Sequence, residues 1–363
     1  MRGSSETDAN LLYFSGMQIP DDFFAFTLAG KKCALLSPLE AGRALRHSKF
    51  DEVFDISEVC KKAKVPYGDF SALCAVLKSK RVKSLVVPEN FPSIWYLNLV
   101  EAGFDVDICE GEFFPQREVK SPAEIREIVK ANAAASAGFT IAEEILRQSK
   151  IVKGRLIFEG RPLTCEFLRS EIEKAALSLG ADSMHTIVAA GDDACDPHNE
   201  GSGVVRANSL IVMDIFPRLK ASGYFGDMTR TFLRGTPSEA QVRLVDAVLN
   251  AQALALSKVA AGVDGAEVHK CVKDFFEQNG YKTTASKSGW SGFFHSTGHG
   301  VGLDIHESPS LGNRKCILQA GNVVTVEPGL YYRGIGGCRI EDTVEVTKSG
   351  AKILSRYHYE WVI

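Results

Sequence analysis

The stretch Phe294–Ser308, FHSTGHGVGLDIHES, places three of the chain's eight histidines (His295, His299 and His306) within twelve residues. Gly298, Gly300 and Gly302 surround the middle one. Glycine around a histidine suits a place where the backbone must come close to a ligand or turn sharply. The plainer reading is a glycine-rich loop with solvent histidines. Acidic residues on either side of this stretch decide between the two. Asp214 follows the apolar run LIVM, Glu327 follows VVTV, and Glu341 with Asp342 lies between RI and TVEV. Asp227 sits in GYFGDMTRTF, at the edge of another strand-like run. A carboxylate in a buried strand is costly unless it is paired, hydrogen-bonded or bound to metal. One such residue reads as a structural salt bridge. Four of them, with a histidine cluster between the second and the third, read as one site.

Four carboxylates and an imidazole form a hard donor set without thiolate. It suits manganese, or zinc, cobalt or iron as supply allows. Two divalent ions would be balanced in charge by four carboxylates, and a bridging hydroxide would complete the centre as a nucleophile at neutral pH.

The chain around this site is ordinary in bulk. Its 363 residues exceed what one compact core usually supports, so two domains are expected. A net charge of −3 with mixed signs along the chain gives no block for nucleic acid or anionic lipid. No secretory signal and no membrane-length apolar run is visible. Nine scattered cysteines without a CxxC read as free thiols of a reducing cytoplasm, not as a disulfide frame, a zinc site or a nucleophile motif.

Strands and helices alternate up to about Lys120. Lys31–Ser37 and Ser84–Val87 read as buried strands and Phe104–Ile108 as a further strand, with helices over Asp69–Lys80 and Pro92–Ala102. This is the pattern of a small α/β domain, residues 1–120. SPAE at Ser121 then opens a long helix with a serine N-cap, proline at the first helical position and glutamate in the first turn. Residues 121–363 form the second domain. Its helices are predicted at about Pro162–Leu179, Pro237–Ala261 and Ala266–Asn279. Strands are predicted at Thr186–Ala190, Ser209–Ile215, Tyr224–Leu233, Val323–Glu327 and Ile340–Val346. The class is α+β, with a mostly antiparallel sheet covered by helices.

Five segments in order, MDIF, GDMTRTF, STGHGVGL, VEPGLYY and RIEDTVEV, resemble the pita-bread metallopeptidases: aminopeptidase P, prolidase and methionine aminopeptidase. NLLYFSG, Asn10–Gly16, resembles the creatinase-type amino-terminal domain of the first two. The resemblance implies a curved antiparallel sheet with two metal ions on its concave face. Carried over by position, Asp214 chelates one metal, Asp227 and Glu341 bridge, and His299 and Glu327 hold the other. Glu327 is also implied as the proton shuttle. His306 would steady the oxyanion. His198, in DPHNEGSG, and His295 would line a proline pocket, and Arg339 with Tyr331 would fix the first carboxylate. The implied activity is hydrolysis of the amino-terminal Xaa-Pro bond of dipeptides or peptides, with the creatinase-type domain limiting the substrate to one residue before that bond. Relatives form homodimers or homotetramers.

One departure is plain. Phe216 stands where the family usually has glycine, and the two aspartates are thirteen positions apart, further than usual. The extra length fits a longer hairpin turn that leaves the strands in place and alters the mouth of the site. Three rivals share the fold. A methionine or general aminopeptidase would carry the same ligands but would not need the first domain. Creatinase-like hydrolysis replaces ligands that all stand here. A non-catalytic peptide-binding relative would have lost some of them.

Overall fold

The computed structural model describes residues 1–287 and 289–363. The chain forms two compact units, Met1–Arg117 and Glu118–Ile363.

In the first unit, Phe23–Leu28 and Lys31–Leu36 form an antiparallel hairpin, edged by the short strand Arg2–Gly3. Glu52–Asp55 adds to its other side in parallel. Ser84–Pro88 and Asp105–Cys109 pair in parallel as a separate ribbon. Lys31–Leu36 is buried from Cys33 onward, as its apolar run predicts. Ser84–Pro88 is not a fully buried strand. Val86 is 61% exposed, because in this two-stranded ribbon alternate residues face outward. The resemblance segment NLLYFSG forms most of the helix Ala9–Ser15, which ends on Gly16 in the left-handed region (φ 64°).

The second unit opens with the helix Pro122–Gln148, started by a reciprocal capping box between Ser121 and Glu124. Gly138 on this helix lets Cys165–Ser178 pack close, since a Cβ there would stand 2.8 Å from Ile172 Cγ2. The predicted helix start at Pro162 is wrong. Arg161–Pro162 is a short strand paired with Arg155–Phe158, and Thr164 caps the helix by accepting from Phe167 N–H at 3.2 Å. The proline that suggested a first helical turn sits instead at a sheet edge, which tolerates it equally well. The two later helices run Glu239–Lys258 and Gly265–Gln278, starting from Ser238 and Asp264.

The named strand pairs of this unit are antiparallel. Ile211–Ile215 lies between Ile187–Ala190 and Met228–Phe232. A second sheet has the order Glu307–Leu311, Gly298–Gly300, Val323–Val326, Asp342–Val346, Ala351–Ile353. Gly329–Tyr332 and Gly336–Arg339 form a hairpin of their own. One apolar cluster, including Val324, Val326 and Val344, packs this second sheet against the two later helices. Another, including Met213, Met228 and Phe139, packs the first sheet against the long helix. The backs of the strands are thus sealed by helices, and their other face carries polar groups. All nine cysteines are free thiols. Among the described residues, no helix is long and apolar enough to cross a membrane.

Candidate metal centre

The strand ends bring the acidic residues together. Asp214 projects from Ile211–Ile215, and Asp227 immediately precedes Met228–Phe232. The register Asp214↔Thr229 is regular, so the longer connection does not displace Asp214. The extra residues fold away instead. Arg218–Leu219 pairs with Ala181–Asp182. Phe216, the residue in the glycine's usual place, becomes part of the cavity wall.

His299 is at the centre of Gly298–Gly300. The flanking glycines are needed because neighbouring strands approach closely. A Cβ on Gly298 would lie 1.9 Å from Thr325 O, and one on Gly300 would lie 2.5 Å from Glu307 O. Glu327 follows Val323–Val326, and Glu341 sits between Arg339 and Asp342 at the start of the next strand. These side chains line one cavity of about 840 Å³ together with His198, His295, His306 and Arg339. Every candidate residue except Tyr331 lines it, and Tyr331 stands directly behind.

Ligand atoms of Asp227, His299 and Glu341 lie within 4.8 Å of one another. His299 Nε2 is 3.5 Å from Asp227 Oδ2 and 3.4 Å from Glu327 Oε1. Its Nδ1 is 3.1 Å from Gly300 O. That contact assigns the proton to Nδ1 and leaves the Nε2 lone pair aimed among the carboxylates. Burial, and after it the neighbouring His306, holds the His299 imidazole down at about 3, so it is a neutral donor.

Asp227 and Glu341 are both pushed well above the usual carboxylate range, chiefly by burial and then by the other acids of the group. Glu327 is raised to about 7, again mainly by burial. Asp214 Oδ1 is buried with no hydrogen-bond partner in the protein, while Oδ2 accepts from Arg339 Nη2 at 2.7 Å. Crowded acids resisting ionisation, an orphan carboxylate oxygen and a correctly oriented imidazole fit divalent metal ions. Asp227, His299 and Glu341 bring ligand atoms within reach of one ion, and Asp214 and Glu327 line the same cavity.

The supporting partners are specific. Arg339 also donates from Nη1 to Tyr331 Oη at 3.0 Å, and the Tyr331 hydroxyl is 2.9 Å from His295 Nε2. His295 Nδ1 is 2.7 Å from Ser296 O. Both ring nitrogens of His295 are therefore taken up by the protein, and the imidazole meets the cavity through its ring. Tyr331 does not touch Asp214 directly; it steadies the guanidinium that does. His306 packs edge-on against His299, with ring centroids 4.2 Å apart. Its pKa is lowered, chiefly by burial, which favours the neutral imidazole. His198 is exposed, at the rim.

Four positioning residues were not anticipated. Asn132, buried on the long helix, accepts from Asp227 N–H at 3.0 Å. Gly226 lets the chain reach that helix, since a Cβ there would meet Asn132 N at 2.5 Å. Thr229 donates to Glu341 Oε2 at 2.7 Å. Thr325 donates to Glu327 Oε1 at 3.3 Å and accepts from His299 N–H at 3.1 Å. A polar Asn132 within the small-residue run ANAAASAG was the one available signal. Threonine in a strand is unremarkable by composition.

Fold and site together resemble those of metallopeptidases. Residues 126–348 match metallopeptidase family M24, and the chain belongs to that family. A stretch of 250 residues is 32% identical to the Xaa-Pro dipeptidase of Pyrococcus horikoshii, covering 68% of this chain and 65% of that protein. A further match, over 198 residues, is 36% identical to an uncharacterized peptidase of Bacillus subtilis, covering 53% of each. The matched stretch thus spans about half to two-thirds of the length of these curated relatives. Among solved structures, the X-Pro aminopeptidase of Thermotoga maritima superposes with a TM-score of 0.83 at 25% identity, covering 99% of this chain and 95% of that one. The prolidase of Pyrococcus horikoshii superposes at 0.80 and 25% identity, covering 99% and 93%. The architecture is the pita-bread fold that the five segments implied.

Proposed function

We propose that the protein hydrolyses the amino-terminal Xaa-Pro bond of peptides at a centre of two divalent metal ions, held by Asp214, Asp227, His299, Glu327 and Glu341. The observation that carries this reading is the convergence of these five donors in one cavity, with Asp214 Oδ1 buried and unpaired. The all-oxygen-and-nitrogen donor set suits manganese, with zinc, cobalt or iron as alternatives. When bound, the ions supply a hydroxide nucleophile at neutral pH and polarise the scissile carbonyl.

The chain's own residues do the rest. Arg339 and Thr229 hold Asp214 and Glu341 in place. Glu327, a carboxylate beside that nucleophile, can take up its proton and pass it on. That matches the need of the leaving proline nitrogen, which must gain a proton to depart as an amine. His306, as a neutral imidazole, donates an N–H toward the oxygen where negative charge develops. The X–Pro bond is a tertiary amide with no N–H of its own, so the leaving residue must be held by shape. Phe216, Phe294 and Ile305 supply apolar wall, and the rings of His198 and His295 bound it.

The test compares release of the first residue from matched X-Pro and X-Ala peptides in manganese. A preference for X-Pro of about 10-fold or more is expected, since one well-filled hydrophobic contact is worth roughly that. Equal rates, or a preference for Met-Ala peptides, would move the chain to a general or methionine aminopeptidase.

A further inference from the structure

The rim of the cavity differs in charge from what a dipeptidase needs. A dipeptide ending in proline carries its carboxylate on the proline itself, so a site suited to it should meet that charge with a cation. Among the described residues lining the cavity, the guanidinium is that of Arg339. It is buried at the floor and committed to Asp214, Tyr331 and Thr229 at 2.7, 3.0 and 3.3 Å. Near the rim, Arg169 donates to the backbone carbonyls of Glu200 and Gly201.

The rim itself is acidic. Asp196 and Glu200 both line the cavity and are exposed, two residues to either side of His198. Their segment is fixed, not trailing. Gly201, at φ 76°, runs so close to the strand Ile187–Ala190 that a Cβ there would lie 2.0 Å from Val188 O. Val188 N–H donates to Glu200 O at 3.1 Å. The Glu200 carboxylate is oriented by His185, whose Nδ1 is 2.8 Å from Glu200 Oε1. His185 itself holds a left-handed conformation (φ 63°) that favours glycine, the kind of local strain that a surrounding structure must enforce. In charge, two divalent ions offset the four carboxylates of the floor, and Arg339 offsets a hydroxide. Asp196 and Glu200 are left over, at the rim.

We infer that Asp196 and Glu200 are specificity-determining residues. They disfavour a free carboxylate on the proline and select peptides of three or more residues, with a basic residue after the proline preferred over an acidic one. The inference rests on the proline reading of the site above. Successive residues of an extended chain advance about 3.3–3.6 Å each. With the proline ring beside His198, the group that follows it lies one such step further out, on a rim that Asp196 and Glu200 line. At this exposed location each charge contributes modestly, and the combined effect is about 10-fold.

Four substrates with the same first residue test it: X-Pro, X-Pro amide, X-Pro-Arg amide and X-Pro-Glu amide, compared by kcat/KM at low salt. The expected order puts X-Pro-Arg amide first, X-Pro amide next, and X-Pro-Glu amide and the free dipeptide last. The Arg-to-Glu ratio should be about 10. It should fall toward one in the double variant Asp196→Asn/Glu200→Gln and in about 1 M salt, where exposed charges are screened. A dipeptide cleaved as fast as its amide, or a ratio unchanged in the double variant, overturns the inference while leaving the proline reading intact. Cleavage of X-Ala peptides with none of the four cleaved overturns both.

Discussion

Replacing Glu327 with glutamine should lower turnover by about 10²-fold or more, the usual scale for losing a general acid–base group. The substitution keeps the shape and the contact with Thr325 Oγ1, which is 3.3 Å from Oε1 in the native protein. It removes the carboxylate proposed to take up the nucleophile's proton and deliver it to the leaving nitrogen. Because Glu327 also lies 3.4 Å from His299 Nε2 and is one of the proposed metal donors, metal content must be measured on the same sample. A variant that keeps its metal and turns over at a near-native rate would rule out the proton-transfer role.

The second large effect separates the histidines. His299→Ala should lose both metal and activity, because His299 Nε2 is the imidazole nitrogen directed among Asp227, Glu327 and Glu341. His198→Ala and His306→Ala should keep their metal yet lose much of their turnover, roughly 10–10³-fold, on the scale of losing an oriented donor. His198 lies at the exposed rim, and His306 contacts the ring of His299 rather than filling the acid cluster. Elemental analysis of the three variants distinguishes the roles. An emptied site in His198→Ala would overturn the ligand assignment.

Much of this centre could be read in advance because it violates local rules. Acids placed inside LIVM–D, VVTV–E and RI–ED runs are conspicuous where strands should be apolar, and His299 is conspicuous between two glycines. The supporting residues obey local rules and so are silent. Asn132 meets Asp227 across 95 positions, and Thr229 meets Glu341 across 112, separations that no periodicity reports. At Gly298 and Gly300 strand packing by itself excludes a side chain, a reason for glycine that the sequence does not show. Pro162 misled in a similar way, because a proline fits the first turn of a helix and the edge of a sheet equally well. Phe216 announced a longer hairpin. Its length is absorbed by pairing of Arg218–Leu219 with Ala181–Asp182, which needs three-dimensional information.

The charge balance of the floor is the claim on which the rest depends, and metal counting tests it most directly. Protein stripped by a chelator and dialysed should be inactive on an X-Pro peptide. Titration with Mn²⁺ should restore activity, and bound metal should reach a plateau at two ions per chain, the number that offsets Asp214, Asp227, Glu327 and Glu341. Full activity in metal-free protein, or stripped protein that takes up no divalent ion, would contradict the account.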